Sequence, residues 1–381
     1  LRCVEVWHAP GLDVGAFAEA SQALAFAAGV GLPGRVWASG SPAWIPVVTQ
    51  DANFVRAPFA AGNGLRGGIG FPIHDGAEFL GVMEFFSREV RQPDRELFEM
   101  MSDIGSQISQ FIQRSRAEAR LHREDEQRLV AREIQEGLLP KSSPPLPGFT
   151  IGARSWPCYD VGGDYFDAFL MTDGSLALVI GDASGHAIGP ALVIAETRAY
   201  IRAFATTSTD PGTILTLANQ RLCEDLESSY FVTLFFGRLD PRTGSLSYAG
   251  AGHCPGYILS SEGQVKAPLT SRGLPLGIDS AGDYPSGSAA QLAAGDLLFL
   301  YTDGIVEARS AGSREQFGIE RMLDTLRAHC QESPDQILDA IYQAVREFSS
   351  PGDQDDDVTA ILVQVAAGGL GGRREAEVRF A

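Results

Sequence analysis

The sequence predicts an α+β chain in which a small antiparallel-sheet domain leads through a long helix into a larger two-sheet domain. Three observations carry this. Short strand-like runs separated by Gly and Pro turns fill residues 1–92, and a charged, amphipathic stretch then runs unbroken to a proline at 140. Beyond it, strand-like and helix-like runs come in blocks rather than in alternation. Blocks joined by hairpin signals argue for antiparallel sheets with helices packed outside, and against a doubly wound parallel sheet. An α-β-β-α sandwich is the natural solution for the larger domain.

In the first region the clearest strands are 4–7, 69–73 and 79–86, and 16–28 is small and apolar enough for a helix. His74-Asp75-Gly76 is a hairpin turn signal. Trp7, Trp37 and Trp44 are expected in the core, where their rings bury large areas. The chain opens at Leu1 in LRCVEVW, which already reads as a strand, so the natural N-terminus is expected upstream.

Pro93-Asp94 opens the long helix. Leu97, Met101, Ile104, Ile108 and Phe111 follow spacings of 4, 3, 4 and 3, a heptad seam suited to a second helix. The seam fades in the alternating charges of 114–128 and resumes at Val130, Ile134 and Leu138. Pro140 ends the helix, and Pro144, Pro145 and Pro147 keep it from restarting. An interrupted seam of this length fits a dimeric connector. The domains are expected at 1–113, 114–147 (connector) and 148–366, with 367–381 as a flexible tail.

In the larger region, strands are expected at 149–153, 168–171, 176–180, 232–239, 246–249, 256–259, 297–301 and 358–365. Helix pairs are expected at 188–206 with 211–227, and at 318–332 with 334–348.

The net charge of -18 argues against nucleic-acid or anionic-membrane binding, both of which rest on basic patches. No run approaches the ~20 apolar residues of a membrane span. Cys3, Cys158, Cys223, Cys254 and Cys330 form no close pair, which speaks against zinc or a disulfide framework and for a reducing, cytoplasmic setting.

Candidate chemistry centres on LALVIGDASG at 176–185. A buried apolar run there ends at Asp182, followed by a turn of small residues. Asp164, Asp303 and Asp356 likewise flank strand-like runs or Gly turns. Four converging carboxylates would repel strongly unless cations neutralised them, and hard divalent ions with oxygen ligands are the suitable partners. Such a site would suit two-metal hydrolysis of a phosphate ester.

VGGDYFD at 161–167, GDASGHA at 181–187, GDLLFLYTDGIVEA at 295–308 and DDDVTAILV at 355–363 resemble the ordered motifs of PPM-type metal-dependent serine/threonine phosphatases, and more narrowly the SpoIIE/RsbU branch. AREIQEGLLP at 131–140, YAGAGHCPGYIL at 248–259 and GLPLGI at 273–278 are similar to that branch as well. The resemblance covers about 131–366. It implies two Mn²⁺ or Mg²⁺ ions per active site. Asp182 would be the catalytic, bridging carboxylate, and the main-chain carbonyl of Ala183 and the carboxylate of Asp164 would hold the second ion. Asp303 and Asp356 would complete the first, with Asp357 the alternative to Asp356 because the run of three aspartates leaves the register open by one. His186 and His253 fall in these motifs but not at ligand positions, and are read as supporting or turn residues.

Residues 1–113 resemble a GAF domain through GLRGGIGFPIHDGAEFLGVMEFFS at 64–87 and the helix that follows, without the usual first helix and strand. The whole then implies a cytoplasmic, homodimeric signalling phosphatase in which a GAF domain, with an unidentified small-molecule ligand, acts through the helix. The implied substrate is a phosphorylated protein, a STAS-domain anti-anti-sigma factor. The alternatives are an inactive ligand-sensing scaffold and a metal-dependent hydrolase of another phosphate ester.

Overall fold

The computed structural model describes residues 1–368 apart from 76–77, 159–160, 186–187, 227–229, 288–289, 311 and 353. The expected tail beyond residue 368 and the tip of the predicted hairpin turn at Gly76 therefore lie outside the described residues, as does His186. The chain divides into two compact units between Glu124 and Asp125.

The first unit comprises α1 (Gly15–Ala23), α2 (Gly31–Ser39), β1 (Ala43–Ile45), α3 (Ala57–Gly62), β2 (Gly67–Asp75) and β3 (Glu78–Ser87), with its three strands in the order β1-β2-β3. β2 and β3 pair antiparallel from Gly67 opposite Ser87 to Asp75 opposite Glu78, as the hairpin signal required. α2 lies close over β2: a Cβ on Gly70 would stand 3.0 Å from Val36 and 3.1 Å from Leu32. Phe17, Leu32, Val36, Ile45, Val48 and Phe54 fill the core. Into it reaches Arg56, whose guanidinium lies 4.9–5.3 Å from the ring centroids of Phe17, Phe26, Phe54 and Phe86. It donates to both Glu84 carboxylate oxygens, at 2.6 and 2.9 Å, so this buried charge is paired.

Three expectations for this unit fail, the first being the core tryptophans: Trp7 and Trp37 are 84% and 39% exposed and Trp44 is half-buried. Residues 4–7 form no strand; Val4 is 92% and Trp7 84% exposed, and the nearest ladder contact is a single bridge from Arg2 to Ala25. A period-two pattern needs a neighbouring strand to satisfy its backbone, and among the described residues none lies beside this one. The first helix stops at Ala23 rather than 28, because Leu24 is extended and the Phe26 amide is taken by the Leu1 carbonyl at 2.8 Å.

α4 runs 44 residues from Arg95 to Leu138. Asp94 caps it, accepting from the Glu96 amide at 2.9 Å. Near its start Phe98 packs on Trp44, and Gly105 approaches β2 so closely that a Cβ would be 3.0 Å from the Pro72 carbonyl. The early seam residues Leu97, Met101, Ile104 and Ile108 are half-buried beside this contact, whereas Phe111 is 72% exposed. Further along, Val130 and Ile134 are 58% and 62% exposed.

The second unit contains β4 (Phe149–Trp156), β5 (Asp164–Leu170), β6 (Leu176–Ala183), α5 (Ile188–Phe204), α6 (Pro211–Asp225), β7 (Val232–Asp240), β8 (Ser245–Ala251), β9 (Gly256–Leu259), β10 (Val265–Leu269), β11 (Ala290–Gln291), β12 (Leu297–Tyr301), α7 (Gly318–His329), α8 (Pro334–Ser349) and β13 (Val358–Val365). The strands make two antiparallel five-stranded sheets, ordered β10-β9-β12-β13-β4 and β11-β8-β7-β6-β5. The short β10 and β11 were not foreseen; neither has an apolar run to announce it.

Strand parity sets the layers. Leu176, Leu178 and Ile180 of β6, Leu298 and Leu300 of β12, and Ile361 and Val363 of β13 fill the core between the sheets. The intervening Ala177, Val179 and Ala183 pack with α5 and α6, and Leu297, Phe299, Ala360 and Leu362 pack with α7 and α8. The expected α-β-β-α sandwich is thus the observed one. α5 is tied to β5 by Asp167, fully buried, which accepts from Arg202 at 2.6 and 2.7 Å and from the Tyr165 hydroxyl at 3.0 Å.

Candidate metal centre

The same parity places the aspartates. On β6, position 182 has the parity of Leu178 and Ile180, so its side chain belongs to the inter-sheet face; on β5, position 164 shares the parity of Phe166 and Ala168. Both strands run further than their apolar runs suggested. β5 begins at Asp164 rather than 168, and β6 continues through Ala183. Asp182 and Ala183 are therefore strand residues and not turn residues, and Asp164 stands directly opposite Asp182 in the ladder.

The other sheet meets them at the same end. Thr302, which follows β12, donates from Oγ1 to Asp164 Oδ2 at 2.9 Å and accepts from the Thr359 amide at 3.0 Å. Asp357 is held by both oxygens: the Cys158 amide donates to Oδ1 and the Gly163 amide to Oδ2, each at 2.8 Å. Gly304 sits against the backbone of Asp357 and 3.6 Å, measured from a built Cβ, from Asp356 Cβ, which brings Asp303 beside that run. His253 spans the two sheets beneath. Its ring nitrogens lie 3.0 Å from Thr233 Oγ1, opposite Asp182, and 3.0 Å from the Tyr301 carbonyl, two residues before Asp303. Burial lowers its pKa to about 4, so it is neutral, accepting from Thr233 and donating to Tyr301.

Two glycines make room. A Cβ on Gly163 would lie 2.9 Å from both the Ala183 carbonyl oxygen and Asp182 Oδ1. These two oxygens therefore converge on the same side of Gly163. A Cβ on Gly162 would overlap Asp357 Oδ2. The VGGD string is thus a steric requirement: any side chain would displace the acids around it.

Electrostatics agree with convergence. Asp182 is pushed up to about 8, first by burial and then by Asp303, Asp356 and Asp357. Asp164 is raised well above the carboxylate range by burial, Asp182 and Asp357. Asp303 is raised by burial and Glu307, and Asp356 by burial ahead of the charges of Asp303, Asp357 and Asp355. Among the described residues, no cation figures among the groups acting on these four. Nor do three Asp, Glu, His or Cys groups among the described residues already surround one point as a ligand set. The donor chemistry, all hard oxygen with a backbone carbonyl beside it, fits Mg²⁺ or Mn²⁺.

The sequence reading missed Thr302, Thr359 and the backbone use of Asp357. Parity would have flagged Thr302 and Thr359 as the polar ends of inter-sheet rows; the hydrogen bonds to Asp357 come from residues 194 and 199 positions away and leave no local trace.

A two-sheet sandwich with outer helices and an acid cluster at one end is the architecture of PP2C-type phosphatase domains. The SiaA-PP2C domain of Pseudomonas aeruginosa superposes with a TM-score of 0.56 at 24% identity, over 65% of this chain and 98% of that one. The SpoIIE family (Stage II sporulation protein E) matches residues 172–366, and a GAF domain matches 5–113. The chain belongs to the SpoIIE family, with an N-terminal GAF domain. Protein IcfG of Synechocystis sp. is 34% identical over 259 residues, 61% of this chain and 40% of IcfG. Phosphoserine phosphatase RsbU of Bacillus subtilis is 26% identical over 234 residues, 61% of this chain and 68% of RsbU. The chain thus spans less than half the length of IcfG. Among the described residues, no helix is long and apolar enough to cross a membrane.

Proposed function

We propose that the chain is a metal-dependent protein serine/threonine phosphatase, with its active site at the aspartate end of the sandwich. The observation that carries this is the pairing of Asp164 opposite Asp182 at the mouth of the inter-sheet core, with Asp303 and the 355–357 run brought up from the other sheet. Asp182 would bridge two ions, with Asp164 and the Ala183 carbonyl on one and Asp303 and Asp356 on the other. Between the two register choices, Asp356 is the better ligand. Asp357 is buried and both of its oxygens are engaged by backbone amides, while Asp356 is the less buried of the two and, among the described residues, its carboxylate accepts only the Asp357 amide.

Two bound divalent ions would supply Lewis acidity and an activated water for attack on phosphorus. The chain's own residues do the rest. Thr302 orients Asp164, His253 ties the strand bearing Thr233 to the strand leading to Asp303, and Gly162 and Gly163 keep the cleft open to the acids. Likeness to Phosphoserine phosphatase RsbU supports a phosphoserine substrate; we propose a phosphorylated signalling protein, with a STAS-domain protein the first to test. The test is release of phosphate from p-nitrophenyl phosphate and from a phosphorylated STAS protein, with Mn²⁺ and with chelator. Mn²⁺-dependent turnover of both is expected; absence of turnover on either, with Mn²⁺ demonstrably bound, would favour an inactive ligand-sensing scaffold.

The GAF domain would regulate this site through a dimeric α4. Val130 and Ile134 support this, since two apolar side chains more than half exposed on one helix call for a partner surface. Val130→Asp with Ile134→Asp should leave the fold intact, because neither side chain is buried, and convert a dimer to a monomer in light scattering. An unchanged mass would remove α4 as the dimer contact.

A further inference from the structure

The ladder between β4 and β13 ends with Trp156 opposite Val358, two residues after Asp356. A strand frays past its last pair, and here the fraying would begin at an acid assigned to the first ion. One side chain carries the pairing further. Gln354 donates from Nε2 to the Trp156 carbonyl at 2.6 Å and to the Asp356 carbonyl at 2.8 Å. A carboxamide nitrogen has two hydrogens, so it can make both bonds at once. Gln354 thus ties the end of β4 to the backbone of Asp356, as one more rung of the ladder would.

Gln354 is itself held in place. It is half-buried, and the Tyr342 hydroxyl of α8 approaches its Oε1 at 3.4 Å. The Tyr342 ring in turn lies flat on Trp156, with centroids 4.3 Å apart and 2° between the planes. Reversing the carboxamide would set its oxygen against two carbonyl oxygens, so the network fixes which end is the donor. On the far side of Asp356, the Cys158 and Gly163 amides hold both Asp357 oxygens at 2.8 Å. Asp356 is therefore strung between two anchors, Asp357 after it and the Gln354 amide on its carbonyl. Among the described residues its carboxylate accepts only the Asp357 amide, which leaves it free to meet an ion.

We propose that Gln354 is a positioning residue for the first metal ion: by bonding the Trp156 and Asp356 carbonyls with one amide, it sets where the Asp356 carboxylate stands beside Asp303 and Asp182. This rests on the two-ion reading of the aspartate cluster. The role needs this side chain in particular. A glutamate has the same shape but no hydrogens to give, and would turn a negative charge on two carbonyl oxygens beside a run of three aspartates. Alanine leaves both carbonyls without this donor and the acid run without its tie to β4.

The test compares the full chain with Gln354→Ala and Gln354→Glu, each alone and in an Asp356→Asn background. Gln364→Ala is the control, since Gln364 also bonds a backbone carbonyl, that of Glu332 at 3.4 Å, but at the other end of β13. Mn²⁺ binding is read from the electron paramagnetic resonance signal of free Mn²⁺, alongside kcat at saturating Mn²⁺ and the urea midpoint of the metal-free protein. Gln354→Ala should bind one of the two Mn²⁺ ions about 10-fold less tightly, the loss typical of groups that orient metal ligands, with most of kcat recovered at high Mn²⁺. Gln354→Glu should lose at least as much, and Gln364→Ala should match wild type. In the Asp356→Asn background Gln354→Ala should lower Mn²⁺ affinity no further, because it acts through Asp356. An equal loss in both backgrounds, or the same loss in Gln364→Ala, overturns the proposal. So does loss of the metal-free fold in both Gln354 variants, which would make the residue structural. Two Mn²⁺ bound by wild type with unchanged affinities in both Gln354 variants overturns this proposal and leaves the two-ion reading standing. No Mn²⁺ binding by wild type overturns both.

Discussion

Asp182→Asn is expected to abolish Mn²⁺-dependent phosphate release, by about 10³-fold or more, corresponding to several kcal/mol of lost transition-state stabilisation. The substitution keeps size and hydrogen-bonding shape and removes one negative charge. The charges of Asp303, Asp356 and Asp357 all act on Asp182, which stands opposite Asp164 in the ladder. Its neutral amide can still accept from a neighbouring N–H but cannot share a charge between two ions. Stability should move the other way. In the absence of metal and above about pH 8, where Asp182 is ionised, removing a buried charge that repels three others should raise the thermal midpoint, while the gain in midpoint on adding Mn²⁺ should shrink. A variant that is both inactive and less stable than the metal-free wild type would point to a structural role for Asp182 instead. A phosphatase assay and a thermal melt, each with and without Mn²⁺, read both halves of the prediction.

Much of this site was legible in the sequence, for a reason that lies in strand geometry. The acids sit in strings with fixed glycine neighbours, and the glycines are there because Cβ atoms at 162 and 163 would strike the acids. The atoms they would strike lie far along the chain, but the need for two consecutive glycines beside Asp164 is written at 162–163 itself. The two-layer architecture was legible for a similar reason: runs buried on both faces, such as 176–180 and 358–363, have no polar alternation and end in turns. What could not be read was the length of β5 and β6. Their ends carry Asp164 and Asp182, and a strand that finishes in an acid looks like a turn when only the chain is visible. Pairing across the ladder, not propensity, carries both strands on to these residues. The N-terminal run shows the converse. Residues 4–7 alternate well but have no neighbour to pair with, and Val4 and Trp7 stand in solvent. Gln354 was hidden in the same way: nothing in the string around it says that its amide turns to a carbonyl 198 positions away.

The same buried acids predict an unusual dependence of stability on pH. Asp164, Asp182, Asp303 and Asp356 all have folded-state pKa values above those of the unfolded chain, with Asp182 at about 8 against 3.8. For a raised carboxylate, the folded state binds more protons than the unfolded one between the two values, so stability falls as pH rises through that window and is flat on either side. The metal-free protein should therefore lose stability steadily from about pH 4 to about pH 8, opposite to the usual acid sensitivity of paired carboxylates. His253 works against this below pH 6.5. Its folded pKa, about 4 against 6.5, gives stability that is complete above 6.5 and is lost as pH falls towards 4. The two trends oppose each other between 4 and 6.5, while above 6.5 the carboxylates act alone, so the decline should be clearest between pH 6.5 and 8. Divalent ions replace protons as the neutralising charge, and they bind the ionised form. Saturating Mn²⁺ should thus reverse the slope, with the gain in midpoint growing as pH rises and the acids no longer need to give up protons to accept the ions. Thermal or urea midpoints measured across pH 5–8, with chelator and with Mn²⁺, should give two curves that diverge as pH rises. Parallel curves would mean that the ions bind away from the aspartates, and a metal-free protein whose stability rises from pH 6.5 to 8 would mean that these carboxylates are already ionised without them.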